Sequence, residues 1–413
     1  MKTFALSIFF LVALIPKYRF IFLLLGPILA LGDLELTNAK YLYLFLLIAL
    51  NILSWKPTVR GHGKQNGTDQ KYVHFLQVVL LALTGQIFAN GLIRGLAITE
   101  MLRSSLIFII LLLSIRPLVE SSKQLTTNFA IHAVGCLGVV GSFTTFVYWS
   151  QLRGLFSFGV DKIGLDGDYY GILVICLFPI LASTFPKYSK VLFMYNAIIL
   201  VLLFLTLTRS YIVIVVSILF MQLIFGGSRF IYSAVIKFRQ LIFLGLPIVL
   251  ITILLGLWSN IKFRSRILNS IALINPNAIQ VSDESYKQSL LARSAQGEEA
   301  LNLWLDNPIF GTGTLPSGRT YDHIFGGLLK YGIVGMILIC VVFRLFYKLI
   351  GTIEDLPKYI SKSYKIYLVS IFVTSSMIGN WTENKSIWLS LLVILFFSLV
   401  QERNLDKSVF KLN

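Results

Sequence analysis

Long runs of apolar residues recur along almost the whole chain, and they constrain its fold more than any other feature. Most of them approach the roughly 20 apolar residues that a helix needs to cross a bilayer. They fall near residues 4–16, 20–32, 41–55, 73–92, 105–119, 127–150, 169–185, 189–208, 210–226, 241–258, 325–347, 366–379 and 386–400. Runs this uniformly apolar do not match the alternating strands of a membrane barrel. The pattern predicts an all-α polytopic membrane protein with about 12 to 13 transmembrane helices, the first two runs forming one broken span or two.

One long polar segment, residues 259–324, interrupts the apolar runs late in the chain. We expect residues 1–258 to carry the first transmembrane helices, about nine or ten in number. Residues 325–413 should carry the last three transmembrane helices and a cytoplasmic tail, within a single membrane domain. Apolar residues at near-helical spacing predict an amphipathic helix over 286–305 that is able to lie against the membrane face. Asn307-Pro308 should end it, and Gly311-Thr-Gly313 should form the following turn.

The net charge of +17 is dispersed among short loops between the apolar runs. This distribution fits the excess of lysine and arginine in cytoplasmic loops of membrane proteins, so we expect no nucleic-acid partner. The basic connections that we assign to the cytoplasm lie near residues 56–71, 116–123, 187–190, 229–239 and 344–365. Alternation then assigns to the outer side residues 33–35, 93–104, 151–168, the tip at Arg209, the long segment 259–324 and the turn 380–385.

Two arginines are candidate anion-binding residues. Arg209 stands between two apolar runs with almost no polar loop around it. It is either an interfacial arginine or an arginine at membrane depth, where its cost marks a pathway or a site. Arg293 lies on the predicted loop helix, where it contacts lipid headgroups, a neighbouring acid such as Glu298, or a ligand. A guanidinium fork suits phosphate oxygens in both cases.

Asp322 and His323 lie where the polar segment re-enters the membrane. A lone histidine is more often a packed or solvated side chain than a catalyst. Histidine nevertheless suits proton abstraction at neutral pH, and an aspartate in an apolar setting can do the same work. The chain's histidines are scattered, so we expect no metal site and no cofactor.

Several motifs, taken in order, resemble the O-antigen ligase and O-antigen polymerase superfamily. They are Thr208-Arg209-Ser210, Arg293, Trp304, Asn307-Pro308-x-x-Gly311-x-Gly313, Asp322-His323 and Tyr331-Gly332-Ile-Val-Gly335. The hydropathy pattern is also similar to that family's helical bundle with one large periplasmic loop late in the chain. In motifs the resemblance covers residues 205–211 and 289–335, and in architecture most of the chain.

The resemblance implies a metal-independent, inverting glycosyltransferase of the C-type membrane class. Such an enzyme is a multi-pass protein of the bacterial inner membrane, and its site faces the periplasm. Its donor is a glycan on undecaprenyl pyrophosphate, held by Arg209 and Arg293, while a histidine deprotonates the acceptor hydroxyl. Arg264, Arg266, Arg319 and Tyr321 are further candidate substrate contacts.

One departure from the family pattern bears on the base. In ligase-like members the histidine is followed by asparagine and lies nearer the amino terminus, at the position that Tyr321 occupies here. Asp322 and His323 are therefore rivals for the base role, and the departure favours a polymerase over a ligase.

We therefore expect a polysaccharide polymerase of the O-antigen type, in lipopolysaccharide biosynthesis, which joins lipid-linked repeat units. Its partners would be the lipid-linked donor and acceptor, membrane lipid and a chain-length regulator protein. One alternative is the ligase that transfers the glycan to the lipid A core. Another is a lipid-linked glycan flippase or other transporter, although polar residues inside the apolar runs are sparse.

Overall fold

A computed structural model gives the fold of this chain. It describes residues 2–30, 38–54, 67–122, 125–152, 171–175, 188–205, 284–313, 323–352, 361–362, 364–369, 372 and 388–396. Within these ranges the backbone is helical apart from short turns, and none of it forms a strand. The all-α prediction is therefore confirmed for the described part of the chain.

The helices with assigned bounds follow the apolar runs closely. They are α1 Lys2–Ala13, α2 Arg19–Ala30, α3 Asn38–Leu53, α4 Gly67–Ile93, α5 Ile98–Ser122, α6 Thr127–Leu152, α7 Ser189–Leu205, α8 Glu284–Leu305 and α9 His323–Thr352. Helical residues are also described at 171–175, 361–369 in part, 372 and 388–396.

Four stretches in the described residues are long and apolar enough to cross a membrane. They are Tyr72–Ile93 of α4, Ile98–Ser122 of α5, Asn128–Val147 of α6 and Phe325–Ile350 of α9. The chain is thus an all-α membrane protein. The runs at 210–226 and 241–258 lie outside the described residues, so the full number of spans stays a prediction.

The first two apolar runs form two separate helices. A 3₁₀ turn, Pro16–Tyr18, separates α1 from α2, and the amide of Tyr18 donates to the carbonyl of Ile15 over 2.9 Å. Proline favours such a turn because it fixes φ and has no amide proton to leave unpaired. With 12 residues each, the described lengths of α1 and α2 are shorter than a full membrane crossing.

A buried ion pair joins three helix ends at one end of the bundle. Arg19, at the start of α2, is 4% exposed and donates to the carboxylate of Glu120 near the end of α5. It also donates to Ser54 Oγ, just after α3, over 3.0 Å. These contacts place the connections after α3 and α5 at the same level, as the charge distribution predicts. The other end of α5 lies about 37 Å away for its 25 residues.

A fully buried stretch, 388–396, runs through the middle of the bundle. At one end the ring of Trp388 lies 5.1 Å from Phe108 of α5 and 5.3 Å from Phe343 of α9. At the other end Phe396 stacks on Phe20 of α2 with ring centroids 5.2 Å apart. These aromatic contacts join elements that are distant in sequence. Helices α5 and α9 pack against the core that they form.

Glycines allow α6 to approach its neighbours closely. A β-carbon at Gly135 would lie 2.3 Å from the ring of Tyr195, and one at Gly138 would lie 2.7 Å from Val174. Small residues are favoured at such contacts because apolar side chains gain little from one another when lipid is equally apolar. This interface is therefore set by shape.

Candidate functional site

Helix α9 is broken at Gly332. The backbone of Gly332 has φ 64° and ψ −174°, so α9 consists of a first half, 323–331, and a second half, 333–352. A break leaves carbonyls of the first half and amides of the second half without partners in the helix. Within a membrane protein such groups are tolerated only where other parts of the protein satisfy them.

A turn formed by Asn307–Gly313 fills this break, and we call it the docked turn. Its backbone hydrogen-bonds with both halves of α9. The bonds are Thr312 N to Leu329 O at 2.6 Å, Gly313 N to Lys330 O at 2.9 Å, Ile333 N to Pro308 O at 3.0 Å and Val334 N to Ile309 O at 3.0 Å. The Thr312 hydroxyl adds a bond to the Leu329 carbonyl at 2.9 Å. The two halves of α9 are therefore joined through the turn.

Glycine is required at two positions of this contact. Gly311 has φ 71° and Gly332 has φ 64°, values that other residues rarely adopt. A β-carbon on Gly311 would lie 2.4 Å from the amide nitrogen of Gly332, and one on Gly332 would lie 2.4 Å from the carbonyl oxygen of Ile309. Because these neighbours are backbone atoms, neither clash can be relieved by a side-chain rotation.

Helix α4 contributes a row of donors to the same junction. Gln86, Asn90 and Arg94 follow one another at four-residue intervals, which places them on one face of a helix; we call them the donor row. Gln86 Nε2 donates to the Tyr331 carbonyl at 2.8 Å. Asn90 Nδ2 donates to Phe310 O at 3.1 Å and to Gly311 O at 3.0 Å.

Arg94 completes the row just beyond the end of α4. Its Nη2 donates to the Gly311 carbonyl at 2.8 Å, and its Nε donates to Asn90 Oδ1 at 3.1 Å. The guanidinium therefore fixes both the turn and the amide that holds the turn. Arg94 is an exposed residue even with these bonds in place.

Helix α8 leads directly into the docked turn. It ends at Leu305, and Trp304 Nε1 then donates to the Pro308 carbonyl at 3.1 Å. Ala300 is buried against Leu329, and Leu303 and Trp304 pack beside it. The predicted helix, its end before Asn307-Pro308 and the glycine turn are confirmed. The part of its apolar face that the structure describes lies against the first half of α9.

One more charged residue lies at the break. Lys330 is 6% exposed, and its Nζ lies 5.2 Å from the centroid of the Tyr331 ring. The sequence interpretation did not select Lys330 or the donor row. The sequence could have indicated Lys330, because a charged residue inside an apolar run often marks a functional site. It could have indicated Arg94 as well, since it is a basic residue in a connection assigned to the outer side.

Two of the predicted site residues can be placed by their backbone. Arg293 lies on α8, and His323 is the first residue of α9. The docked turn follows α8 and is bonded to α9, so it connects the two helices that carry these residues. The other predicted site residues lie outside the described residues: Arg209, Arg264, Arg266, Arg319, Tyr321 and Asp322.

The arrangement provides a rigid junction between α4, α8 and α9. It holds the end of α8 against α9 through backbone bonds, and it carries arginine and lysine side chains at the same end of the bundle. Residues on α8 and at the start of α9 are thereby held in a fixed relation, which is what two residues need in order to act on one bound molecule. No protein-family model matches this sequence, and no curated protein matches it.

Proposed function

We propose that this protein is a polysaccharide polymerase that joins oligosaccharide repeat units carried on undecaprenyl pyrophosphate. The supporting observation is the docked turn. Two motifs on which the family resemblance rests, Asn307–Gly313 and Tyr331-Gly332, pack against each other backbone to backbone at one end of a membrane bundle. If each motif only formed a turn of its own segment, the two motifs would not need to contact each other.

The chemistry of glycosyl transfer fits the residues around this junction. The departing pyrophosphate carries negative charge that must be held as the glycosidic bond breaks, and the acceptor hydroxyl must lose a proton. In the proposal Arg209 and Arg293 hold the pyrophosphate, and His323 or Asp322 takes the proton. Arg264, Arg266, Arg319 and Tyr321 remain proposed contacts to the substrate.

The remaining features of the proposal follow from the same resemblance. The chain is proposed to form a C-type glycosyltransferase bundle of about 12 to 13 spans, given the length that each crossing needs. We propose that it lies in the bacterial inner membrane with the docked turn towards the periplasm. The ends of α3 and α5, which lead into two of the basic connections, meet at Arg19, and basic connections favour the cytoplasmic side. The transfer inverts the configuration of the sugar and uses no metal.

Reconstitution of the purified protein with lipid-linked repeat units as the sole substrate tests the proposal. A polymerase produces a ladder of longer lipid-linked glycans without any lipid A core. A matched reaction adds lipid A core as acceptor, and a third follows movement of the labelled lipid-linked unit between leaflets.

Each outcome of this experiment selects one function. A ladder in the first reaction supports the polymerase. Product that forms only with lipid A core selects the ligase and overturns the polymerase. Movement between leaflets with no new glycosidic bond selects a flippase or other transporter and overturns both enzymes.

A further inference from the structure

The donor row connects α4 to a turn more than 200 residues later in the chain. The separations are 245 residues for Gln86 to Tyr331 and 217 for Arg94 to Gly311. Within the described residues, the hydrogen bonds that the donor row makes outside its own helix end on backbone carbonyls of the docked turn or of the break. These hydrogen bonds start from one face of α4 and reach two different segments. They therefore fix the position of both segments relative to α4.

We infer that Arg94, together with Asn90, is a positioning residue that keeps the docked turn in the α9 break. By doing so it fixes α8, the helix that carries Arg293, relative to His323 at the start of α9. The part of this inference that concerns glycosyl transfer rests on the proposed function, whereas the part that concerns docking stands without it.

The geometry of Arg94 favours positioning over a simple interfacial charge. An arginine that only contacts headgroups needs its charge near the surface and no defined hydrogen bonds. Arg94 instead uses two nitrogens of its planar fork, at 3.1 and 2.8 Å, to bridge a side-chain oxygen and a backbone carbonyl. Lysine has the same charge but no such fork, so it cannot reproduce the bridge.

Chemical labelling of a thiol on the docked turn measures docking directly. Thr312→Cys is introduced after the native residues Cys136, Cys176 and Cys340 are replaced by serine, and the protein is labelled with a maleimide in nanodiscs. Thr312 is partly buried in the docked state, so labelling reports the undocked population. Loss of a hydrogen bond from a charged donor should raise that population, and with it the labelling rate, about tenfold in Arg94→Ala.

Three further variants sharpen this measurement. Arg94→Lys should also label faster than the parent because it keeps the charge but loses the bridge. Asn90→Ala should label faster for the same reason as Arg94→Ala. Arg103→Ala removes an exposed arginine near the start of α5 and should label at the parent rate. Parent-like labelling of Arg94→Ala, or full recovery in Arg94→Lys, overturns the inference.

Covalent docking then tests the role in transfer. The carbonyls of Pro308 and Ile309 accept from the amides of Ile333 and Val334, so an Ile309→Cys/Ile333→Cys pair is suited to a short thiol cross-linker. We expect Arg94→Ala to lower transfer at least tenfold and cross-linking to restore most of it. If Arg94 touched the substrate itself, cross-linking would not restore transfer, and the positioning role would be overturned. Absence of transfer in the parent protein would instead overturn the proposed function and leave the labelling result standing.

Discussion

Gly311 and Gly332 meet backbone to backbone, since a β-carbon on either residue would lie 2.4 Å from the other's amide nitrogen. Both residues have positive φ. One residue lies in the docked turn and the other in the break of α9, and the contact requires that neither bears a side chain. The contact is what allows a loop backbone to enter a membrane helix.

Alanine at either position should therefore destabilise the junction. Each substitution introduces a strained φ and a clash with backbone atoms, together costing about 1–3 kcal/mol or more. We expect Gly311→Ala and Gly332→Ala to lower the melting temperature of the protein in detergent. The measurement is the loss of the monodisperse peak in size-exclusion chromatography after heating.

Gly297→Ala on α8 is the matched control for these variants. Its β-carbon would meet nothing within 4 Å, and alanine is favoured over glycine in a helix by roughly 1 kcal/mol. The control should be as stable as the parent or more so. Equal stability of all three variants would contradict the docked arrangement.

The buried pair of Arg19 and Glu120 should show a marked asymmetry between single and double substitution. Glu120→Ala leaves the guanidinium of Arg19, which is 4% exposed, without its carboxylate, and breaking a buried pair costs about 3–5 kcal/mol. Arg19→Met with Glu120→Met removes both charges and should be less destabilising than Glu120→Ala. Thermal unfolding of the parent, Glu120→Ala and the double variant measures this. A double variant no more stable than Glu120→Ala would show that the pair does not act as a unit.

The orientation of the bundle can be measured by cysteine labelling in intact cells. Thr99→Cys lies at an exposed position in the first turn of α5, and Lys17→Cys lies in the turn between α1 and α2. The connection before α5 carries Arg94, which bonds to the docked turn. In a protein lacking its native cysteines, we expect an impermeant thiol reagent to label the first and not the second. Labelling of Lys17→Cys alone would place the docked turn on the cytoplasmic side.

The sequence predicted much of the helical structure because lipid imposes a simple rule on it. A run such as 105–119 must form a helix wherever it lies in a membrane, and α5 extends that run by a few residues at each end. The turn after α8 was also predictable, since Asn307-Pro308 and two nearby glycines are local signals. These predictions depended only on neighbours in the chain.

The break in α9 was not predictable in this way. Gly332 stands inside an apolar run with no proline near it, and a glycine there is compatible with an unbroken membrane helix. The break exists because Pro308, Ile309 and Gln86 supply partners for its backbone groups. Such partners come from far along the chain, and no periodicity in a single segment reports them.

The identity of the proton acceptor can be decided by two substitutions. A general base contributes roughly 100-fold or more to the rate of proton transfer. We expect either His323→Ala or Asp322→Ala to slow glycan extension by that order, with the other variant retaining most of the activity. Unchanged extension in both variants would place the base elsewhere in the protein.

The most direct test of the proposed function is the glycan ladder formed from lipid-linked repeat units by the reconstituted protein and its arginine variants. We expect a ladder with the parent protein and with Arg103→Ala, and none with Arg209→Ala or Arg293→Ala, although all four proteins insert and fold. A parent protein that forms no glycosidic bond would contradict the proposed function, and normal ladders from both Arg209→Ala and Arg293→Ala would contradict the pyrophosphate-binding role of these arginines.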